Sequence, residues 1–112
     1  MSNATRIAEL NDAFRQKIGE PGRGKYYVTD GVSSLGPEFV MKAIAAVRAF
    51  NDFTADNDPH HEHDFGSLTL DGEKVFWKID YYDRRDPDLG SDDPSDPNVT
   101  ERVMTIMLAE EY

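Results

Sequence analysis

Three imidazoles and three carboxylates crowd into Asp58-Pro59-His60-His61-Glu62-His63-Asp64. Imidazole and carboxylate together suit zinc, iron, nickel or manganese. In an extended segment His61 and His63 fall on one face, whereas the neighbours His60 and His61 do not. A ligand set of His61, His63 and Asp80 is then geometrically conceivable. Against it, the spacing matches no standard zinc site, and no helix holds two ligands one turn apart. The plainer reading is a solvated polar run into a β-strand, with no metal and no cofactor.

A narrower chemistry needs only two residues. If the strand after this run forms a hairpin with the next, His63 comes to lie opposite Asp80. A carboxylate beside an imidazole fixes its tautomer and orients it as a base. That is the orienting half of a catalytic triad, with His63 as base or ligand, Asp80 as its orienter and Lys78 as an electrostatic aid. A nucleophile is also required. Ser67 shares the face, but nothing like a nucleophile elbow surrounds it. The alternative is a cross-strand polar pair, worth a fraction of a kcal/mol to about 1 kcal/mol.

The hairpin itself is the clearest local signal. Phe65–Leu70 and Glu73–Tyr82 are strand-type runs joined by Asp71-Gly72, the pattern of a type I′ turn. That turn sets Leu70 against Glu73, Leu68 against Val75 and Gly66 against Trp77. Leu68, Leu70, Val75, Trp77, Ile79 and Tyr81 then form a core face, and Gly66 leaves room for the indole. The other face carries His63, Phe65, Phe76, Lys78, Asp80 and Tyr82. Upstream, Ile7, Leu10, Phe14 and Ile18 make a helical stripe, started by Asn3 or Thr5 and ended by Gly19. Residues 25–29 read as a short strand. Pro37 opens a second helix, with Ser34 as its cap and Val40, Ala43, Ile44, Val47 and Phe50 as its stripe. Residues 99–111 are ambiguous: "RVMTIML" suits a central strand and "LAEE" a helix. The strand is preferred, paired with 75–82. The order α-β-α-β-β-β predicts an α+β two-layer sandwich, two helices on a small antiparallel-rich sheet, and the 112 residues suit a single domain, 1–112.

Charge narrows the partners. The net charge is −10, and 13 of the 22 acids fall within 51–66 and 80–101. A duplex binder needs a basic surface, so direct nucleic-acid binding is not expected. An acidic end fits a protein partner, or imitation of nucleic-acid phosphates. Within the loop 83–98, Asp86, Asp88 and Asp92 alternate as in a calcium loop, but Gly90 and Pro97 stand at the wrong positions. Aspartates capping local backbone amides explain that loop better. No cysteine is present, which excludes disulfides and thiol nucleophiles. No run is apolar enough to span a membrane, and the expected compartment is the cytoplasm.

The segments "IAELNDAFR", "VRAFNDFTADNDP", "EHDFG", "FWKIDYYD", "GSDDPSDP" and "RVMTIMLAEEY" give the chain a likeness to a known family. It resembles short bacterial proteins classed only as a domain of unknown function, found on chromosomes and on mobile elements such as plasmids. The matching residues are Asp58, Glu62, His63, Asp64, Gly66, Trp77, Lys78, Asp80, Tyr81, Tyr82 and Asp83. His60 and His61 stand where that pattern has other residues, which weakens any role for them. The resemblance implies no activity, and a place in mobile-element and host-defence interplay. The expectation is a small acidic binding module acting by protein contact. Its binding residues are Glu62, Asp64, Lys78, Tyr82, Asp92, Asp93 and Asp96, and the rival is an enzyme centred on His63 and Asp80.

Overall fold

The computed structural model describes residues 3–112. In chain order the elements are α1 (Asn3–Gln16), β1 (Lys25–Val28), α2 (Asp30–Ser33), α3 (Pro37–Ala49), β2 (Phe65–Leu70), β3 (Glu73–Asp83) and β4 (Thr100–Leu108). A final 3-10 turn spans Ala109–Glu111. The sheet order is β1-β4-β3-β2. β4 runs antiparallel to β3 and parallel to β1. The fold is α+β, with a mixed sheet rich in antiparallel pairs.

Asp71 and Gly72 both take positive φ (51° and 81°), the type I′ geometry that matches strand twist. Leu70 pairs with Glu73, Leu68 with Val75 and Gly66 with Trp77, as the turn dictates. Val75, Trp77 and Ile79 are buried, as are Met104, Ile106 and Leu108 on β4. Phe14, Phe39, Ala43 and Val47 from α1 and α3 close on that face. A Cβ at Gly66 would sit 2.6 Å from Trp77 Cε2 and 2.9 Å from Phe50 Cε1, so the glycine is a requirement of the packing.

Several local expectations shift. Ser34 does not cap α3; its hydroxyl donates to Gly31 O (2.8 Å) and closes α2. The N-cap of α3 is Gly36 at φ 101°, with Pro37 in the first turn. α2 itself is set by Thr29, whose Oγ1 accepts from the Val32 amide. Residues 99–111 are mostly strand, and their "AEE" end makes one 3-10 turn. Glu111 in that turn accepts from Thr29 Oγ1 (2.6 Å), Gly31 N (3.0 Å) and Leu108 N (2.9 Å), tying the C-terminus to α2. On α1 the stripe is rotated: Ile7 and Phe14 are buried, but so are Asn11 and Arg15.

The loop between β3 and β4 is folded back on the sheet. Tyr82 bridges to Gly90, and Ser91 N donates to Tyr81 O (3.1 Å). Asp83, Asp86, Asp93 and Asp96 each accept a backbone amide two residues on, as local caps. Among the described residues no helix is long and apolar enough to cross a membrane.

Candidate functional site

The polar segment 51–64 is organised by Asp58. Its carboxylate is buried, and Oδ1 accepts the amides of Glu62 and His63, both at 3.1 Å. Those bonds hold His61 and His63 at φ 59° and 56°, a left-handed conformation that non-glycine residues adopt at a cost. The twist ends the ladder one residue early. Asp64 O still accepts from Ile79 N (2.8 Å), but His63 leaves the strand plane and turns under α1.

His63 therefore does not meet Asp80. Its Nδ1 lies 2.9 and 3.0 Å from the two oxygens of Asp12 on α1. Its Nε2 faces Asp58 Oδ2 at 3.6 Å. The ring stacks flat on Phe53, with centroids 3.9 Å apart and planes 4° apart. Asp80 lies on the opposite face of the sheet and pairs with Lys78 Nζ at 2.8 Å. That hydrogen bond holds the Lys78 ammonium above its ordinary range. Ser67 pairs with Phe76 on β3, also away from His63. With both ring nitrogens turned toward scaffold carboxylates, His63 is a clasp between α1 and the loop.

The clasp continues inward through residues that sequence reasoning passed over. Asp12 Oδ1 also accepts from Arg15 Nη2 (3.0 Å). Arg15, 2 % exposed, donates Nη1 to the carbonyls of Val47, Arg48 and Phe50 (3.1, 3.2 and 2.6 Å). Those carbonyls close the C-terminus of α3, where a cation is favoured, and Val47 O also accepts from Phe50 N. Its guanidinium carbon lies 5.5 Å from both the Phe53 and Trp77 ring centres. One turn earlier, Asn11 donates to Glu62 O (2.9 Å) and to Tyr81 Oη (2.8 Å). It accepts from Arg102 Nε (2.7 Å). Tyr81 donates in turn to Glu62 Oε1 (3.0 Å).

This network is electrostatically loaded. Burial, with the charges of Glu62 and Asp58 beside it, pushes the Asp64 carboxyl above its ordinary value. Burial, together with Asp64 and Glu62, likewise raises the Tyr81 phenol well above its ordinary 10.0. Arg102 is lowered by burial and by Arg6. Of the expected binding residues, Glu62 accepts from Tyr81 through Oε1, and Asp64 stands half-buried beside it. Among the described residues no group of three or more His, Asp or Glu is arranged to hold a metal ion. One signal for the missed residues lies in α1 itself. Asn11 stands one turn from Ile7 and from Arg15, inside the stripe where an apolar residue is the rule.

The remaining expected site residues face solvent. Among the described residues no helix packs on the second face of the sheet. The C-terminal turn alone lies across it, with Tyr112 5.9 Å from Phe65 and 5.5 Å from Phe76, centroid to centroid. Lys78, Asp80 and Tyr82 continue that face along β3. A depression of about 330 Å³ opens beside it, lined by Lys78, Met107, Glu111 and Tyr112. Asp92 and Asp93 are exposed, and Asp96 is half-buried. Both acid-rich stretches lie at the sheet end remote from the Asp71-Gly72 turn, since one enters β2 and the other leaves β3 there.

The chain belongs to the family described as "Protein of unknown function (DUF3768)", which matches residues 28–111. α1, the source of Asn11, Asp12 and Arg15, precedes the matched span. No curated protein and no solved structure matches the chain.

Proposed function

We propose that this protein is a non-catalytic binding module that docks a protein partner through the uncovered face of its sheet. The observation that carries the reading is that face itself: an aromatic cluster of Phe65, Phe76 and Tyr112, continued by Lys78, Asp80 and Tyr82, with only the C-terminal turn lying over it among the described residues. Aromatic groups on a polar-rimmed patch are the usual anchors of a protein interface. The acidic end next to the face favours a partner with a basic rim, including a surface that otherwise holds nucleic acid. The hydrogen bond of His63 Nδ1 to Asp12 and the stacking of the ring on Phe53 support a structural part for this histidine and so binding over turnover.

The test uses two variants and a lysate from a cell that carries the family. In Asp92→Asn/Asp93→Asn/Asp96→Asn the side-chain oxygens that cap the loop turns remain and only charge is lost. In Tyr82→Ala/Tyr112→Ala the open face loses two of its aromatic anchors. A partner retained by the wild type should be lost by the second variant and weakened by the first, more so at higher salt. Added DNA should compete if the partner's docking surface is a DNA-binding one. Equal recovery of every retained protein by all three forms contradicts the proposal.

A further inference from the structure

In a chain of net charge −10, three arginines line one cavity. It measures about 190 Å³ and lies between α1, the turn before β1 and the loop that leads into β4. Leu10, Arg23, Arg84, Pro97, Thr100 and Arg102 form its walls. We propose that this cavity binds a small oxyanion, the phosphate or carboxylate group of a small molecule.

The bonding state of the three guanidinium groups supports the assignment. Arg102 is 3 % exposed, yet among the described residues it is in no ion pair. Its partners are neutral: Asn11 Oδ1, Pro94 O (2.5 Å) and the face of Tyr81, 5.2 Å from the guanidinium carbon. A buried charge without a counter-charge is costly, and an anion in the cavity would supply one. Arg23 Nε is buried with no hydrogen bond; Glu20 Oε2 forms an ion pair with it at 3.4 Å, and among the described residues no other carboxylate pairs with this arginine. Arg84 donates Nε to Pro97 O (2.8 Å), and its Nη1 reaches Glu101 only at 3.7 Å. Three forks with unused donors converge, and guanidinium forks match the geometry of carboxylate and phosphate oxygens. The Thr100 hydroxyl at the wall is engaged with Ser91 and Asp93 O, so it shapes the site without competing for the ligand.

The reading is independent of protein docking at the sheet face, because the cavity shares no residue with it. Wild type is titrated with sodium phosphate and with sodium citrate by calorimetry, against sodium chloride at matched ionic strength. Amide shifts in two-dimensional NMR locate the response. Saturable binding of phosphate or citrate is expected, with shifts confined to residues around 22–23, 84 and 100–102. The ratio of the two affinities tells which oxyanion the site prefers. Arg84→Gln and Arg23→Gln should each weaken that binding about tenfold, the effect of one lost charge-assisted bond. Because they lie on different elements, one remains readable if the other loosens its loop. A response to both salts that only tracks ionic strength overturns the proposal, as does unchanged affinity in both variants.

Discussion

Replacing Asn11 by alanine should cost this protein a large part of its stability, although the change is one small polar side chain on a helix. Asn11 is fully buried and makes three bonds: to Glu62 O at 2.9 Å, to Tyr81 Oη at 2.8 Å and from Arg102 Nε at 2.7 Å. A neutral bond contributes about 0.5–1.5 kcal/mol net, and one to a charged group about 1.5–3 kcal/mol. The alanine also leaves Arg102 Nε, on a side chain that is buried, without its acceptor. Together the loss comes to roughly 3–5 kcal/mol. A chain of 112 residues holds about 6–17 kcal/mol in all at ordinary values per residue. Trp77 is the single tryptophan and is fully buried, so its fluorescence in a urea titration reports unfolding directly. The midpoint should fall steeply with the slope unchanged. Tyr81→Phe removes only the hydroxyl and should cost about 1–2 kcal/mol. The double variant should cost less than the sum, because the two share a bond. A loss below about 1 kcal/mol for Asn11→Ala, or strict additivity with Tyr81→Phe, refutes the view of α1 as a polar anchor.

Alkaline stability tests the same site by another route. The folded Tyr81 keeps its proton above the ordinary 10.0, so beyond that pH the unfolded chain ionises first and stability falls as pH rises. Denaturant midpoints measured between about pH 9 and 11 should decline less in Tyr81→Phe than in the wild type, and parallel curves count against the assignment. At the acid end, three hydrogen bonds hold Glu111 below its ordinary 4.5. Its contribution is present above 4.5 and lost as pH falls through the lower folded value. The stability gap between wild type and Glu111→Gln should then narrow below about pH 4, and a constant gap contradicts it. Gly66→Ala should destabilise by about 1–3 kcal/mol or more, since its Cβ falls on the indole; a wild-type melting temperature would show that the packing yields freely.

What was legible in the sequence was local, and what was not was contributed from far along the chain. Asp71-Gly72 specifies its own turn, so β2, β3, their register and the Gly66–Trp77 contact follow from neighbouring residues alone. β4 was legible only in part: "RVMTIML" is apolar on both alternating faces, as a central strand is, while "LAEE" suited a helix. Extending the register by two residues past Phe65 failed at His63. Asp58 takes the Glu62 amide, which the next rung of the ladder would have used, together with that of His63, and the left-handed φ there turns the ring to the other side of the sheet. No pattern of hydrophobicity encodes that substitution of a side-chain acceptor for a strand. Asn11 and Arg102 are 91 residues apart, and each looks like a surface residue until the other is placed beside it. A buried polar group is tolerated only where its partners converge, so its role is a property of the fold and not of its neighbours in sequence. The same reasoning explains why the histidine run suggested chemistry while the scattered Arg23, Arg84 and Arg102 did not. Clustering in sequence made His63 conspicuous, and the fold gave its Nδ1 to a structural carboxylate on α1. Dispersion hid the arginines, and the fold brought them to one cavity with donors to spare.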